Sequence, residues 1–197
     1  MTDIAFSCGC GKVQLMASQV TPDAGTRIVC YCKDCQAFAH FLNQGDTVLD
    51  AHGGTEIFQM PIAHVQVTEG IEDLRCMRLT PGGIYRWYTG CCNTPIGNTM
   101  NAKWPFIGLI HHAIEDRSLR DDSFGPVEGY VQTRSASARL LGHEKQADVP
   151  FPLLVKIFIR LASWKIRGLN KPSCFFNDDD KPVVKPYILN PETKSET

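Results

Sequence analysis

Short runs that alternate polar and apolar residues, closed by turns rich in glycine and proline, dominate the first half of the chain. Lys12-Val13-Gln14-Leu15 and His64-Val65-Gln66-Val67-Thr68 have the period-two pattern of strands with one buried face. Thr47-Val48-Leu49 and Thr55-Glu56-Ile57-Phe58 flank a stretch ending in Gly53-Gly54, which predicts two strands and a turn. Residues 74–79 and 84–88 flank Pro81-Gly82-Gly83 and predict a second hairpin, one that delivers Cys91 and Cys92 beyond its outgoing strand. Residues 36–42 predict a short helix.

The last third differs in character. Residues 153–167 carry the best helical pattern in the chain. Leu154, Ile157, Phe158, Leu161 and Trp164 form an apolar face, and Lys156, Arg160, Ser163 and Arg167 form a basic stripe. Pro150 and Pro152 restrict the entry, and Asp148 stands near the start. Such a helix is expected to bury its wide apolar side on the rest of the molecule; the alternative is to lie on an anionic membrane surface or bind a partner. Asp178-Asp179-Asp180 reads as a solvated loop, because calcium loops alternate their carboxylates. The tail after Pro191 is polar. The expected fold class is mainly β with a C-terminal helical extension. Residues 1–110 form the body, and residues 111–197 add one amphipathic helix (about 153–167) packed on that body.

Composition narrows the function. A chain of 197 residues with 43% hydrophobic content can bury one real core. With 20 Lys+Arg against 21 Asp+Glu, it lacks the basic excess that displaces counterions from nucleic acid. No apolar run reaches the roughly 18 residues of a membrane span, so no integral membrane segment is expected. The first eight residues, Met1 to Cys8, lack the basic and then apolar stretches of a secretory signal. A cytoplasmic location follows as an expectation. In that reducing compartment clustered thiols bind metal or do chemistry more often than they form disulfides. The cysteine count is nine, so a complete disulfide framework would leave one thiol over.

Seven of the nine cysteines fall into tight groups: Cys8-Gly9-Cys10, Cys30-Tyr31-Cys32-Lys33-Asp34-Cys35 and Cys91-Cys92. Short turns aim such thiolates at one point, and Gly9 and Gly11 supply the flexibility around Cys10. Zinc is the metal that a thiolate-rich site selects. Two sites are expected. Cys8, Cys10 and Cys92, with Cys91 as a further candidate, would staple the start of the chain to its middle. Cys30, Cys32 and Cys35 would form a site with one open position. The competing reading has all seven serving two closed structural sites, with His40 or Cys76 in the fourth place.

Cys8-Gly-Cys-Gly-Lys-Val, Cys30-Tyr-Cys-Lys-Asp-Cys-Gln and Cys92-Asn-Thr-Pro-Ile-Gly resemble, in order and spacing, the three motifs of the glutathione-dependent formaldehyde-activating enzyme family, which includes the centromere protein V domain. The resemblance covers roughly residues 5–105, and the segment with Phe175-Phe176 and residues 182–186 resembles uncharacterised bacterial relatives. It implies a β-tent zinc fold with a structural zinc at Cys8, Cys10 and Cys92 and a catalytic zinc at Cys30, Cys32 and Cys35. Thr89 stands where the family has the first cysteine of its last pair. Cys91 is therefore taken as the fourth structural ligand, with Cys76 in reserve. Asn93 replaces the family's usual glycine, a mild change because asparagine tolerates the left-handed region.

Three thiolates on Zn²⁺ carry a net charge of -1 and make a weak Lewis acid, poorly suited to activating water. A thiol arriving at the open position would lose its proton and stay electron-rich, since coordinating thiols are deprotonated outright. That suits addition of a thiolate to a small carbonyl carbon, or the reverse cleavage. It agrees with the activity the resemblance implies, a carbon–sulfur lyase-like reaction of glutathione with formaldehyde. The expected partners are thus a small thiol and an aldehyde, with zinc as cofactor at both sites. His40 is a candidate proton donor, His111-His112 diverge too far to share a metal, and Cys76 and Cys174 read as small buried apolar residues. Arg27, Lys33, Arg75, Arg78 and Arg86 could all meet glutathione carboxylates, so none is singled out.

Overall fold

In the computed structural model, residues 2–111, 118–140 and 150–189 are described. His112, Asp148 and the tail after Pro191 lie outside them. The alternating segments become strands, and the strands sort into two sheets. Strands β1 (Thr2–Ser7), β2 (Gln14–Val20) and β5 (Val65–Glu69) form a three-stranded sheet in that order. β2 pairs antiparallel with both neighbours. Leu15 and Ala17 are buried in alternation, as a half-buried strand requires.

The larger sheet has eight strands in the order β10-β3-β4-β9-β8-β7-β6-β11. These are β3 (Thr26–Cys30), β4 (Thr55–Met60), β6 (Leu74–Arg78), β7 (Tyr85–Thr89), β8 (Pro95–Thr99), β9 (Ile107–Ile110), β10 (Gly129–Val131) and β11 (Tyr187–Ile188). Its six central strands pair antiparallel. The two edge strands, both from the last third of the chain, join in parallel: β10 beside β3 and β11 beside β6. Phe6, Leu15, Phe58, Trp87, Leu109 and Phe175 lie in one continuous core. Ile28, Cys35, Phe38, Ile57 and Leu153 lie in a second cluster around the first helix.

Helix α1 (Lys33–Phe41) follows β3 directly and buries Cys35, Phe38 and Ala39. Residues 47–49 differ from their predicted strand. Thr47 and Val48 belong to a single helical turn, α2 (Gly45–Val48), and only Leu49 bridges to Thr55. The turn accounts for this: Asp50 Oδ1 accepts from the backbone of His52 and Gly54, so local capping competes successfully with ladder pairing. A further helix, α3 (Ser118–Phe124), was not anticipated in sequence.

Helix α4 (Phe151–Ile166) faces the body differently from its sequence pattern. Leu153 and Trp164 are buried, with Ile157 and Leu161 between them half-buried, whereas Leu154 and Phe158 point outward. Part of the basic stripe is anchored on the body, while Ser163 and Arg167 remain exposed. Lys156 and Arg160 pair with Glu128, and Arg160 also donates to Gly25 O, Thr26 Oγ1 and Asp23 O. Anchoring two cations on the body rotates an apolar edge outward, exposing Phe151, Leu154, Val155, Phe158 and Ile159. Among the described residues no helix is long and apolar enough to cross a membrane.

Candidate metal centres

The first centre joins two knuckles far apart in sequence. Cys8 ends the β1 edge in a tight turn in which Cys8 N donates to Val13 O, Gly11 N donates to Cys8 O, and Val13 N donates to Cys8 Sγ at 3.2 Å. Gly11 sits at φ 76°, where a side chain would be strained. The second knuckle is the β7–β8 connection. Thr89 Oγ1 accepts from Thr94 N at 3.0 Å, Asn93 N donates to Thr89 O, and Asn93 adopts φ 55°. Gly9 N donates to Thr94 Oγ1 at 3.0 Å and ties one knuckle to the other.

This brings the sulfurs of Cys8, Cys10, Cys91 and Cys92 within 4.8 Å of one another. Cys8 Sγ lies 3.6 Å from Cys10 Sγ and 3.7 Å from Cys91 Sγ, and the Cys91 and Cys92 sulfurs are 3.8 Å apart. A tetrahedron of metal–sulfur bonds about 2.3 Å long has edges of about 3.8 Å. A disulfide would need about 2.05 Å, and all nine cysteines are free. The donor set therefore fits a closed tetrahedral metal. Thr89 braces the loop that lets adjacent Cys91 and Cys92 both reach the site. Cys76 is elsewhere, buried on β6 in the core.

The hydroxyls around this centre set its protonation. Partial burial pushes the Cys91 thiol up to about 12, with hydrogen bonds from Cys10, Cys8 and Cys92 adding to the rise. Burial also acts to raise Cys92, but its hydrogen bonds with Thr89 and Thr94 outweigh that and bring it down to about 6. The Cys92 Sγ to Thr94 Oγ1 distance is 3.2 Å.

The second centre grows from one junction. β3 ends at Cys30, Cys32 is the N-cap of α1, and Cys35 lies in that helix's first turn. Cys35 N donates to Cys32 Sγ at 3.3 Å, so a sulfur takes the capping role usually filled by an oxygen. Gln36 pins the loop by donating to Tyr31 O and Ser135 O at 2.8 and 2.9 Å. The sulfurs of Cys30, Cys32 and Cys35 lie within 4.8 Å of one another. Among the described residues no fourth His, Cys, Asp or Glu joins that group. His40 is exposed on the far turn of α1 and takes no part.

Cys32 is held far below the usual thiol range by its hydrogen bonds with Cys30 and Cys35, and the Cys35 amide and Arg86 act in the same direction. Cys30 is raised by hydrogen bonds with Cys32 and Cys35 and by burial. A hydrogen bond with Cys30 lowers Cys35, but its bond with Cys32 and its burial prevail and push it up to about 11. Three thiols thus share a thiolate centred on Cys32, at the positive end of a helix.

A cleft of about 500 Å³ opens on this centre. Its walls are mostly apolar, with Ile28, Ile57, Ile84, Phe106, Val131 and Ile157 among them, and Asp34, Gln59, Arg86 and Asn98 supply the polar groups. Arg86, on β7, is 2% exposed. It donates to Asn98 Oδ1 at 3.2 Å, lies 3.9 Å from Cys35 Sγ, and stands over the Phe38 ring. Its nearest carboxylate, Asp34, is 3.8 Å away and largely exposed. Of the five cations considered from sequence, only Arg86 lines this cleft. Arg27 is buried too, but it is committed to Glu56, Asp121 and Gly125 O. Asn98 and Gln59 went unnoticed in sequence, and the one available signal was a charged residue, Arg86, inside an aromatic strand. His111 is buried against Phe124, lies 3.8 Å from Glu56 and joins neither sulfur group.

Fold and site together define a mainly β protein with two cysteine clusters that can hold metal ions. The chain belongs to the Family of unknown function (DUF6151), whose model matches residues 1–186. A solved Rhodobacter sphaeroides protein, a structural-genomics target, is similar at 16% identity, with 63% of this chain and 97% of that chain covered and a TM-score of 0.44. No curated protein matches the sequence.

Proposed function

We propose that this protein is a zinc-dependent enzyme of carbon–sulfur bond chemistry that adds a thiol such as glutathione to a small aldehyde. The observation that carries the reading is the meeting of Cys30, Cys32 and Cys35 at the wall of a cleft, three sulfurs with room for a fourth ligand. Three protein ligands with an open position is the donor count of catalytic zinc, and four is that of structural zinc. The resemblance of the three cysteine motifs to the formaldehyde-activating enzymes supports the same division. A zinc ion on the three thiolates would supply a position where an arriving thiol gives up its proton to solvent.

The chain's own residues account for the remainder. Arg86, buried beside Cys35, offsets the negative charge that three thiolates gather. With Asn98 fixing its guanidinium, it points donors into the cleft, where a carbonyl oxygen gains charge as its carbon is attacked. The new carbon–sulfur bond forms as the carbonyl π pair moves onto oxygen, and that oxygen takes a proton from solvent. Thiol and aldehyde combine without oxidation or reduction. The apolar walls keep water from competing for the carbonyl carbon. The four sulfurs of the other centre staple β1 to the β7–β8 loop and need no part in the reaction.

Zinc-loaded protein should accelerate aldehyde loss only when a thiol is supplied, and Cys32→Ser should abolish that acceleration. No thiol-dependent turnover across several aldehydes and thiols would overturn the proposal. A second reading, a zinc-stapled binding module, draws on the exposed apolar edge of α4. It would be favoured by two closed, non-exchanging metals and no turnover.

A further inference from the structure

The cleft above Cys30, Cys32 and Cys35 is far larger and more apolar than formaldehyde requires. We infer that the carbonyl substrate is an aldehyde bearing an extended apolar chain, its carbonyl end held at Arg86 and Asn98 and its chain lying along the isoleucine-lined wall toward α4. This rests on the thiol-addition reading and names the substrate class of the same site.

Three observations support the assignment. The cleft measures about 500 Å³, within the range of sites that enclose drug-sized ligands, whereas a one-carbon aldehyde would leave nearly all of it to water. The lining is mainly apolar. Asp34, Gln59, Arg86 and Asn98 are its polar members, while Ile28, Ile57, Ile84, Phe106, Val131 and Ile157 offer a molecule nothing to hydrogen-bond with their side chains. Finally, the apolar wall does not stop at the cleft. Leu154 lines it and is also 52% exposed, and its helical neighbours Phe151, Val155 and Phe158 continue the apolar surface outward. A chain longer than the cleft would therefore emerge onto α4, over apolar side chains.

The glycines match this use. A Cβ on Gly108, which lines the cleft, would meet Ile57 Cγ2 at 2.9 Å, and Gly82 and Gly83 line it at the β6–β7 turn. Backbone without side chains therefore forms part of the wall.

The test separates binding from chemistry by using straight-chain primary amides, which present a carbonyl but resist thiol addition. Their dissociation constants for zinc-loaded protein are measured by calorimetry from acetamide to decanamide. Affinity should tighten about three- to fourfold with each added methylene until the cleft is filled. Ile84→Lys and Leu154→Lys should weaken decanamide at least tenfold and leave acetamide unchanged. Affinity that stays flat along the series on the wild-type protein would overturn the inference whatever the variants do. A steep chain-length dependence would support it. Loss of the thiol-addition reading would show separately, as absent thiol-dependent aldehyde loss in protein that binds decanamide.

Discussion

Cys8 Sγ and Cys91 Sγ lie 3.7 Å apart although 83 residues separate them in sequence. The first link is with stability. A metal there closes a long loop between β1 and the β7–β8 turn, and its binding free energy becomes folding free energy. Cys8→Ser should lower metal content by one ion per chain and destabilise the protein by about 4 kcal/mol or more, the scale reached when a metal site is lost. Metal analysis together with urea unfolding checks both. A variant with full metal content and an unchanged midpoint would remove this centre from the account.

Cys32→Ser should behave differently. It caps α1 and carries the shared thiolate, but Phe38, Ala39 and Leu42 keep the helix packed. Serine is itself a good N-cap, so the variant should lose one metal ion and all thiol-dependent turnover, and beyond the lost binding free energy of that ion it should cost only about 1 kcal/mol or less. Equal destabilisation in the Cys8 and Cys32 variants would mean that both centres are structural.

Much of this arrangement was legible in the sequence because it is local. The cysteine spacings, the hairpin over 74–79 and 84–88 and the helix after Cys32 each depend on neighbours a few residues away. Strands β3, β8 and β9 escaped notice because burial on both faces removes alternation; every residue of β8 is buried, Asn98 and Thr99 included. The seating of α4 was legible only in part for a related reason: Ile157, Leu161 and Trp164 of its expected apolar face turn to the body, but Leu154 and Phe158 do not. Nothing near Lys156 and Arg160 reveals that Glu128 and the Gly25 carbonyl wait for them across the fold. Arg86 looked like any surface arginine until β6 and β8 were paired on either side of it.

The metal-free protein should show contrasting thiols side by side. Cys92, brought down to about 6 by the Thr89 and Thr94 hydroxyls against its burial, is a thiolate above that pH. Cys91, pushed up to about 12, stays protonated. Alkylation of Cys92 should therefore rise through a midpoint near pH 6, while Cys91 remains slow at pH 9. Fragment-ion mass spectrometry resolves the two residues. Thr94→Val should move the Cys92 midpoint upward, and added zinc should protect both. Equal reactivity at pH 7 would contradict the hydroxyl argument.

The seating of α4 depends on Gly129, since a Cβ there would strike the Leu153 side chain. Gly129→Ala should cost about 1–3 kcal/mol by overpacking. Because only the flexible end of Leu153 is struck, Gly129→Ala with Leu153→Ala should be less destabilised than the sum of the single changes, by about 1 kcal/mol. Strict additivity in urea melts would show that helix and strand do not press on each other there.

Arg86 is the residue where charge, packing and chemistry converge. Arg86→Met keeps the apolar stem over Phe38 but removes the cation near Cys35 and leaves Asn98 Oδ1 without its donor. Two effects should separate. Turnover should fall about 100-fold, the loss typical when a donor to a developing oxyanion is removed, mostly in kcat. Arg86 also holds the Cys32 and Cys35 thiols lower than they would otherwise stand. Without it protons compete better for sulfur, so acid release of the metal should begin at a higher pH than in the wild type. Arg86→Lys keeps the charge and loses the planar fork, so it should restore the metal-release midpoint but little of the rate. If the lysine variant recovered both together, Arg86 would act by charge alone and its aim at the carbonyl oxygen would be irrelevant.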